Sequence, residues 1–312
     1  MSNLIVSFNV VAPLLMLMLL GAFLLRIHIF DSEIVKKMNA AIFKVFLPAL
    51  IFNNLYTSSI NDVKDIRTGI YAAIVLALSY LVSMVFVSFA EKDSRKRGVM
   101  AQGICRSNFV IFGVPLCRAI CGDTILGKIS VAVAIVVPVI NIFAVFALEF
   151  FRGGKPSPKK MLKGIITNQL IISSVLGLIV LLTGIKLPEI IEKTVSDTAK
   201  IATPLALILL GDSVNFGTVK GNLKQLIYAI TGKLIIVPLI GISIAVFMGM
   251  RTGDLALLIA ALASHTAVSS YPMALQMDGD GDLAAQIVAF GTTICMFTVF
   301  LWVFVLMQLG LL

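Results

Sequence analysis

The chain has 312 residues, of which 59% are hydrophobic and 13% charged, with a mean hydropathy of +1.04 and a formal net charge of +9. This composition excludes a soluble globular domain and indicates an integral membrane protein. Because the basic residues flank apolar runs and form no soluble face, the positive charge argues against nucleic-acid binding and fits membrane topology and contact with anionic lipid.

Apolar runs of about 20 residues, the length that crosses a bilayer, recur along the whole chain. They predict ten transmembrane helices: 4–26, 33–57, 66–90, 98–121, 124–151, 160–184, 194–215, 225–250, 253–278 and 282–311. The first run is preceded by neither a basic segment nor a cleavage site, so we expect a retained helix and no signal peptide.

Basic residues concentrate in the loops that follow the odd-numbered spans, such as Arg95, Lys96 and Arg97. Positive charge stays on the cytoplasmic side of a membrane. We therefore expect a multi-pass membrane protein, with the odd loops inside and both termini outside.

An internal repeat relates the two halves of the chain. A shift of 156 to 157 residues matches Asn108 and Pro115 with His265 and Pro272, Lys44 and Pro48 with Lys200 and Pro204, and Gly21 with Gly177. Five spans per copy is an odd number, so the second copy enters from the opposite side. The pattern predicts inverted repeats at 1–151 and 164–312, joined by a short cytoplasmic linker at 152–163, which is typical of secondary transporters.

Pro115, with Gly113 before it, and Pro272 predict breaks in the fourth and ninth spans, because proline removes a backbone donor and clashes with the preceding turn. Half-helices that start near the two prolines would point their positive dipole ends at the membrane centre. Two such ends favour an anion, most simply a carboxylate.

The polar residues beside these breaks are candidate substrate ligands, because polar groups at membrane depth are functional by default. With the breaking residues, the candidates are Asn108, Gly113, Pro115, Ser264, His265, Thr266, Ser269, Ser270 and Pro272. The alternative is that the polar side chains only recap loose backbone.

A second group of intramembrane polar residues is assigned to coupling or to the pathway: Asp212, Lys44, Lys200, Arg106, Lys233 and Asn168. Lys44 and Lys200 either snorkel to the interface or line half-channels that attract anions. Asp212 lies at a helix carboxyl end, where the dipole disfavours an acid, so it has a partner such as Lys224 or a role in proton coupling. We expect no cofactor, and the coupling ion, H⁺ or Na⁺, is left open.

Two enzymatic patterns lack residues that their chemistry requires. Gly279 to Asp282 reads as the GxGD of intramembrane aspartyl proteases, but no earlier span supplies the Tyr-Asp partner of the dyad. His265 has no G-x-S-x-G serine motif near it. Cys117 and Cys121 share a helix face, yet lack the further ligands that a metal site needs, so we interpret them as small buried filler.

Several motifs resemble those of the auxin efflux carrier family, over the whole chain and in order. They are N-F-V-I-F-G-V-P-L at 108–116, F-L-P-A-L-I-F at 46–52, P-L-A-L-I-L-L-G at 204–211, K-L-I-I-V-P at 233–238 and G-T-T-I-C-M-F-T at 291–298. Three features depart from the family pattern: the short loop at 152–163, Asn168-Gln169 in place of Asn-Pro, and His265 and Asp212, which the family does not lead us to expect.

The resemblance implies a scaffold of spans 1, 2, 6 and 7 and a mobile transport unit of spans 3–5 and 8–10. It also implies that spans 4 and 9 cross at their prolines, that the substrate carboxylate binds at this crossing, and that the protein is a homodimer. We therefore expect an elevator-type secondary transporter of the bacterial plasma membrane that moves a small organic anion, and not an enzyme. A passive anion channel of the same fold is the alternative.

Overall fold

A computed structural model describes residues 2–27, 29, 31–58, 66–152, 158–213 and 216–312. Within these ranges the regular structure is helical, and the only β pairing is one isolated bridge between Ser107 and Thr266. The α-helices are α1 (Ser2–Arg26), α2 (Ser32–Ala41), α3 (Leu47–Tyr56), α4 (Ile66–Ala90), α5 (Ser94–Cys105), α6 (Val114–Cys121), α7 (Leu126–Phe151), α8 (Pro158–Ile166), α9 (Gln169–Thr183), α10 (Glu189–Ser213), α11 (Val219–Thr231), α12 (Val237–Phe247), α13 (Gly253–Leu258), α14 (Ser270–Gln276) and α15 (Gly281–Gln308).

Four continuous helical stretches in the described part of the chain are long and apolar enough to cross a bilayer on their own. They are Ile66–Ala90, Asp123–Phe151, Val219–Phe247 and Gly281–Gln308. Helices are the expected form here because lipid offers no partners for backbone N–H and C=O groups. The all-helical, apolar character predicted from composition is confirmed.

Three of the prolines produce a widened π-helical turn in place of a break. Five-residue π-helices, Ile42–Phe46, Phe109–Gly113 and Gly232–Ile236, each end two residues before a proline. The amide just before the proline bonds the carbonyl five residues back, as Val114 does with Phe109. The wider turn accommodates the missing donor and the ring of the proline, so the helix continues through it.

The breaks therefore lie elsewhere than predicted. α5 ends at Cys105, residues 106–108 are not helical, and a continuous helix then runs from Phe109 through Pro115 to Cys121. A fourth π-helix, Ile259–Ala263, extends α13 and ends at extended Ser264, and α14 begins at Ser270. We call residues 106–108 the first break and residues 264–269 the second break. The prediction that the two spans cross at their prolines is wrong, since the nonhelical residues precede each proline.

The predicted sixth span, 160–184, is also divided. α8 ends at Ile166 and α9 begins at Gln169, where the Asn168 carboxamide oxygen accepts a hydrogen bond from the Leu170 amide at 2.9 Å. Asparagine is a strong N-cap because it satisfies an amide that the first turn leaves free. In the structure, Asn168 is therefore the N-cap of α9.

Two glycines allow α1 and α10 to pack backbone against backbone. A Cβ added to Gly21 would lie 1.8 Å from the Ile208 carbonyl oxygen, and one added to Gly211 would lie 1.8 Å from the Met18 carbonyl oxygen. α9 crosses α3 in a similar way at Gly177, whose added Cβ would lie 2.9 Å from the Leu55 side chain. Small residues at crossings of membrane helices permit this close approach.

The most completely buried part of the molecule surrounds the two breaks. Every residue from Leu255 to His265 is buried, and α6, α12 and α15 pack around this segment. The breaks thus meet inside the helical bundle, away from its surface.

Candidate functional site

The two breaks pair with each other through their backbones. The Asn108 amide donates to the His265 carbonyl at 2.9 Å, and the Ala267 amide donates to the Arg106 carbonyl at 3.3 Å. These bonds flank the antiparallel bridge between Ser107 and Thr266. Part of the backbone freed by the breaks is satisfied inside the protein and is not left for a ligand, because an unpaired buried group is costly.

Side chains cap the carbonyls at the ends of the interrupted helices. The Thr266 hydroxyl donates to the Gly103 carbonyl at 2.8 Å, near the end of α5. The Ser107 hydroxyl donates to the Ala261 carbonyl, near the end of the π-helix that extends α13. Each break therefore supplies a hydroxyl that caps the helix preceding the other break, and these hydrogen bonds stabilise the contact between the two breaks.

Arg106 is the charged group of the first break, with only 3% of its surface exposed. Its guanidinium donates to Gln102 Oε1 at 3.0 Å, Asn141 Oδ1 at 2.9 Å and Ser269 Oγ at 2.8 Å, and it contacts the Met273 sulfur. These partners are all neutral, and the Nε–H is buried without a partner. No ion pair among the described residues includes Arg106, although a buried charge normally requires one.

A cavity of about 70 Å³ opens beside this guanidinium. Its polar lining comes from both breaks and from two other helices: Asn54 of α3, Arg106, Ser107, Asn108, Asn141 of α7 and Ser269. The remaining lining is apolar and includes Leu47, Ile51 and Val137. We call this space the crossing cavity.

His265 lies behind Asn108, outside the lining of the crossing cavity. Its Nδ1 lies 2.9 Å from the Thr266 carbonyl oxygen and 3.1 Å from the Thr292 hydroxyl, which itself donates to the Val288 carbonyl. Since a carbonyl only accepts, Nδ1 carries the proton of a neutral ring, and Nε2 accepts from the Asn108 side-chain amide at 3.2 Å. The imidazole therefore fixes the orientation of Asn108.

Of the predicted substrate ligands, the crossing cavity brings together Asn108 and Ser269, and it adds Arg106 from the pathway group. Gly113 is buried against Ala260, and Pro115 is exposed on α6. Ser264, His265, Thr266, Ser270 and Pro272 are buried and do not line this cavity.

The other pathway residues are dispersed. Lys44 and Asn168 line a second polar cavity of about 220 Å³ together with Glu149 and Arg152. Lys200 is exposed and pairs with Asp197 at 2.8 Å, whereas Lys233 is fully buried. The side chain of Asp212 lies outside the described residues.

Asn54 and Asn141 were missed from the sequence. Each is a polar residue within a largely apolar helix, which is the signal that could have identified them. Repeat matching did not select them, because neither belongs to a motif that recurs in the other half of the chain.

The protease-like Gly-Asp pattern has a local structural role. The Asp280 carboxylate accepts from the Leu283 amide at 2.9 Å and caps the start of α15. Across the described ranges, His, Cys, Asp and Glu side chains form no group of three or more that could hold a metal ion.

Known proteins resemble this chain over nearly its whole length. The family described as membrane transport protein matches residues 6–303. An uncharacterized transporter of Methanothermobacter thermautotrophicus is 23% identical over 304 residues, which cover 96% of this chain and 98% of the relative. An uncharacterized transporter of Methanocaldococcus jannaschii is 22% identical over 315 residues, covering 97% of this chain and all of the relative.

Proposed function

Because the chain belongs to the membrane transport protein family, in agreement with the auxin efflux carrier motifs, we propose that it is a secondary transporter of a small organic anion. The family and the apolar helices identify a multi-pass membrane transporter. The substrate class, the site and the elevator mechanism are the proposal.

The observation that carries the proposal is the buried guanidinium of Arg106. It lies at the edge of the crossing cavity, its described partners are neutral, and its Nε–H has no partner. A buried cation without a counter-ion is costly, and a carboxylate in the cavity would supply that counter-ion. Guanidinium groups match the geometry of carboxylates, with which they form paired hydrogen bonds.

The rest of the cavity fits a small carboxylate. The asparagine side chains of residues 54, 108 and 141 provide amide donors without adding negative charge. A water molecule needs about 10–15 Å³ of such volume, so the observed 70 Å³ accommodates a carboxylate group and a few attached atoms. The apolar wall formed by Leu47, Ile51 and Val137 accommodates the carbon skeleton.

We further propose ten transmembrane helices arranged as two inverted repeats, with the broken spans 4 and 9 crossing at the centre. Packing at glycines supports this arrangement at the residue level. Gly21 of α1 packs on Ile208 of α10, and Gly177 of α9 approaches the backbone of Phe52 in α3. Both pairs obey the shift of 156 residues that relates the sequence motifs, as expected if each repeat lays its first helix against the second helix of the other.

The packing also supports a division into a scaffold and a transport unit. α1 packs along α10, and α9 along α3, whereas α4, α5 and α7 pack together and α15 packs on α11 and α14. The two sets meet mainly where α1 contacts α15 and where α7 contacts α9. Sliding at these two seams would carry the crossing cavity between the two membrane faces. The homodimer implied by the family resemblance belongs to the same proposal.

For orientation, we propose the plasma membrane of a bacterium, with both termini outside. Cysteine replacing exposed Lys163 should react with an impermeant maleimide only from the cytoplasm, and cysteine replacing exposed Lys186 only from outside. The measurement needs a background without Cys105, Cys117, Cys121 and Cys295. Labelling of both positions from one side would contradict the topology.

Two experiments test the function. A thermal-shift screen of mono- and dicarboxylates on purified protein should find an anion that raises Tm, because a ligand stabilises the state that it binds. In proteoliposomes preloaded with that anion, uptake of the labelled anion should be accelerated by exchange. Uptake without acceleration would identify a passive channel, and the absence of any stabilising anion would contradict the proposed substrate class.

A further inference from the structure

Lys233 is the second buried cation near the crossing, and the proposed transport site does not use it. Its side chain is 1% exposed and lies outside the lining of the crossing cavity. Nζ donates to the Leu262 carbonyl at 3.0 Å and to the Ser107 hydroxyl. None of the ion pairs in the described part of the chain includes it. A buried ammonium held only by neutral oxygens requires an explanation.

The explanation lies at the carboxyl end of the helix that runs from Gly253 to Ala263. Its last carbonyls have no partners within the helix, and the aligned peptide dipoles place partial negative charge there. The Ala261 carbonyl accepts from Ser107, the Leu262 carbonyl accepts from Lys233, and the Cys295 sulfur lies 3.7 Å from the Ala263 carbonyl oxygen. The Lys233 ammonium therefore caps this helix end with a positive charge, whereas Ser107 and Cys295 are neutral.

The corresponding end of α5 lacks such a cation. There the Gly103 carbonyl accepts from the neutral Thr266 hydroxyl, and the Arg106 guanidinium is directed to the side chains of Gln102, Asn141 and Ser269. In secondary transporters, the carboxyl ends of interrupted helices are places where coupling cations bind. Here one of the two ends already holds a covalently attached cation.

We propose that Lys233 is a tethered cation that takes the place of a coupling Na⁺ at the carboxyl end of the second interrupted helix. The role of Lys233 in transport rests on the proposed function. The position of its ammonium group, however, does not depend on a bound substrate. It follows that the wild-type protein has no Na⁺ requirement. Shortening the side chain would leave the Leu262 carbonyl and the Ser107 hydroxyl around an open space, and oxygen ligands of this kind suit a small hard cation.

The test uses the purified full-length protein without any organic anion. Melting temperatures of the wild type and of Lys233→Ser are compared in sodium chloride and choline chloride at equal ionic strength. The wild type should melt at the same temperature in both salts. Lys233→Ser should be destabilised in choline and regain about 5 °C or more as Na⁺ is titrated to saturation. Lys44→Ser, which removes an exposed lysine, and Lys233→Arg, which keeps the charge, should show no saturable response to Na⁺.

A saturable rise of the wild-type Tm with Na⁺ would overturn the inference, because the position would then not be occupied by the lysine. Equal melting of Lys233→Ser in both salts would also overturn it. The same holds if this variant cannot be recovered folded even in sodium chloride, since the captured ion is expected to restore the fold. Substitution of Arg106 should leave all these results unchanged, so the failure of anion binding and the failure of this inference are distinguishable.

Discussion

The first and second breaks are twins in sequence position but differ in chemistry. The first break exposes Arg106 and Asn108 to the crossing cavity, whereas Ser264, His265 and Thr266 of the second are sealed behind it. The second break contributes to the cavity through Ser269 and supports the first through the contact of His265 with Asn108. Under the proposed function, the first break would recognise the ligand, and the second break would hold the first in position.

The largest effect on anion binding is expected when the positive charge of the first break is removed. In Arg106→Gln, anion affinity should fall by about 3–5 kcal/mol, or more than ~100-fold in Kd, since the ligand loses its buried counter-ion. The melting temperature without ligand should change little, because an uncompensated buried charge is removed. Binding is measured by titration calorimetry, and Arg118→Gln is the control, since Arg118 is exposed and pairs with Asp123. Retention of ligand binding by Arg106→Gln would contradict the assignment.

A second prediction tests the close packing of α1 on α10, which supports the proposed relation between the two repeats. In Gly21→Ala, the new Cβ meets the Ile208 carbonyl at 1.8 Å, so α1 and α10 must separate. We expect a loss of stability of about 3 kcal/mol, the upper range for overpacking, measured as a fall in Tm.

Gly291→Ala is the matched control for that substitution. Gly291 also lies within a helix, but nothing lies within 4 Å of its added Cβ. This variant should be neutral or slightly more stable, by up to ~1 kcal/mol. If both alanine variants melted alike, close packing at Gly21 would not be a determinant of the scaffold.

Replacement of Asn108 tests whether the neutral amide of the first break contributes to anion recognition. Asn108→Ala should weaken anion binding by about 1–3 kcal/mol, the cost of a hydrogen bond to a charged group. The fold should survive, because the backbone bond from residue 108 to His265 does not use the side chain. Asn53→Ala is the asparagine control from outside the cavity lining. Equal affinities of the two variants would remove Asn108 from the site.

The smallest effect on anion binding is expected when the contact by which His265 orients Asn108 is weakened. Thr292→Val removes one of the two acceptors of the His265 Nδ1–H, so the ring is less firmly oriented, and with it the Asn108 amide that lines the cavity. Anion affinity should fall by about 1 kcal/mol, measured alongside Tm. Thr293→Val is the matched control, because the Thr293 hydroxyl bonds only its own helix, at Ala289. If both variants bound the anion equally, His265 would not act through Asn108.

Much of the helical pattern could be predicted from the sequence, and the errors have local causes. Hydrophobic length and composition predict helices well, because lipid leaves the backbone no other way to satisfy its polar groups. The prediction of a break at Pro115 is wrong because a proline within a helix has two outcomes, a break or a widened turn. The choice depends on tertiary partners, here the bond from the Asn108 amide to the His265 carbonyl, which no local pattern reveals.

The candidate site was predictable in part. Asn108 and Arg106 stood out as polar residues in an apolar span, and the repeat directed attention to residues 264–270. The sequence could not separate Ser269, which faces the cavity, from His265, which lies behind it, because that depends on how the two breaks pair. Asn54 and Asn141 reach the cavity from helices distant in sequence, so only the packing of α3 and α7 brings them there.

The central claim is that an anion neutralises Arg106 in the crossing cavity. The most direct measurement is an experimental structure of the protein bound to the carboxylate that gives the largest rise in Tm. We expect ligand density in the crossing cavity, with a carboxylate oxygen at hydrogen-bond distance, about 3 Å, from the guanidinium of Arg106 and the side-chain amide of Asn108. Density in the cavity near Lys44 and Arg152, with the space beside Arg106 empty, would contradict it.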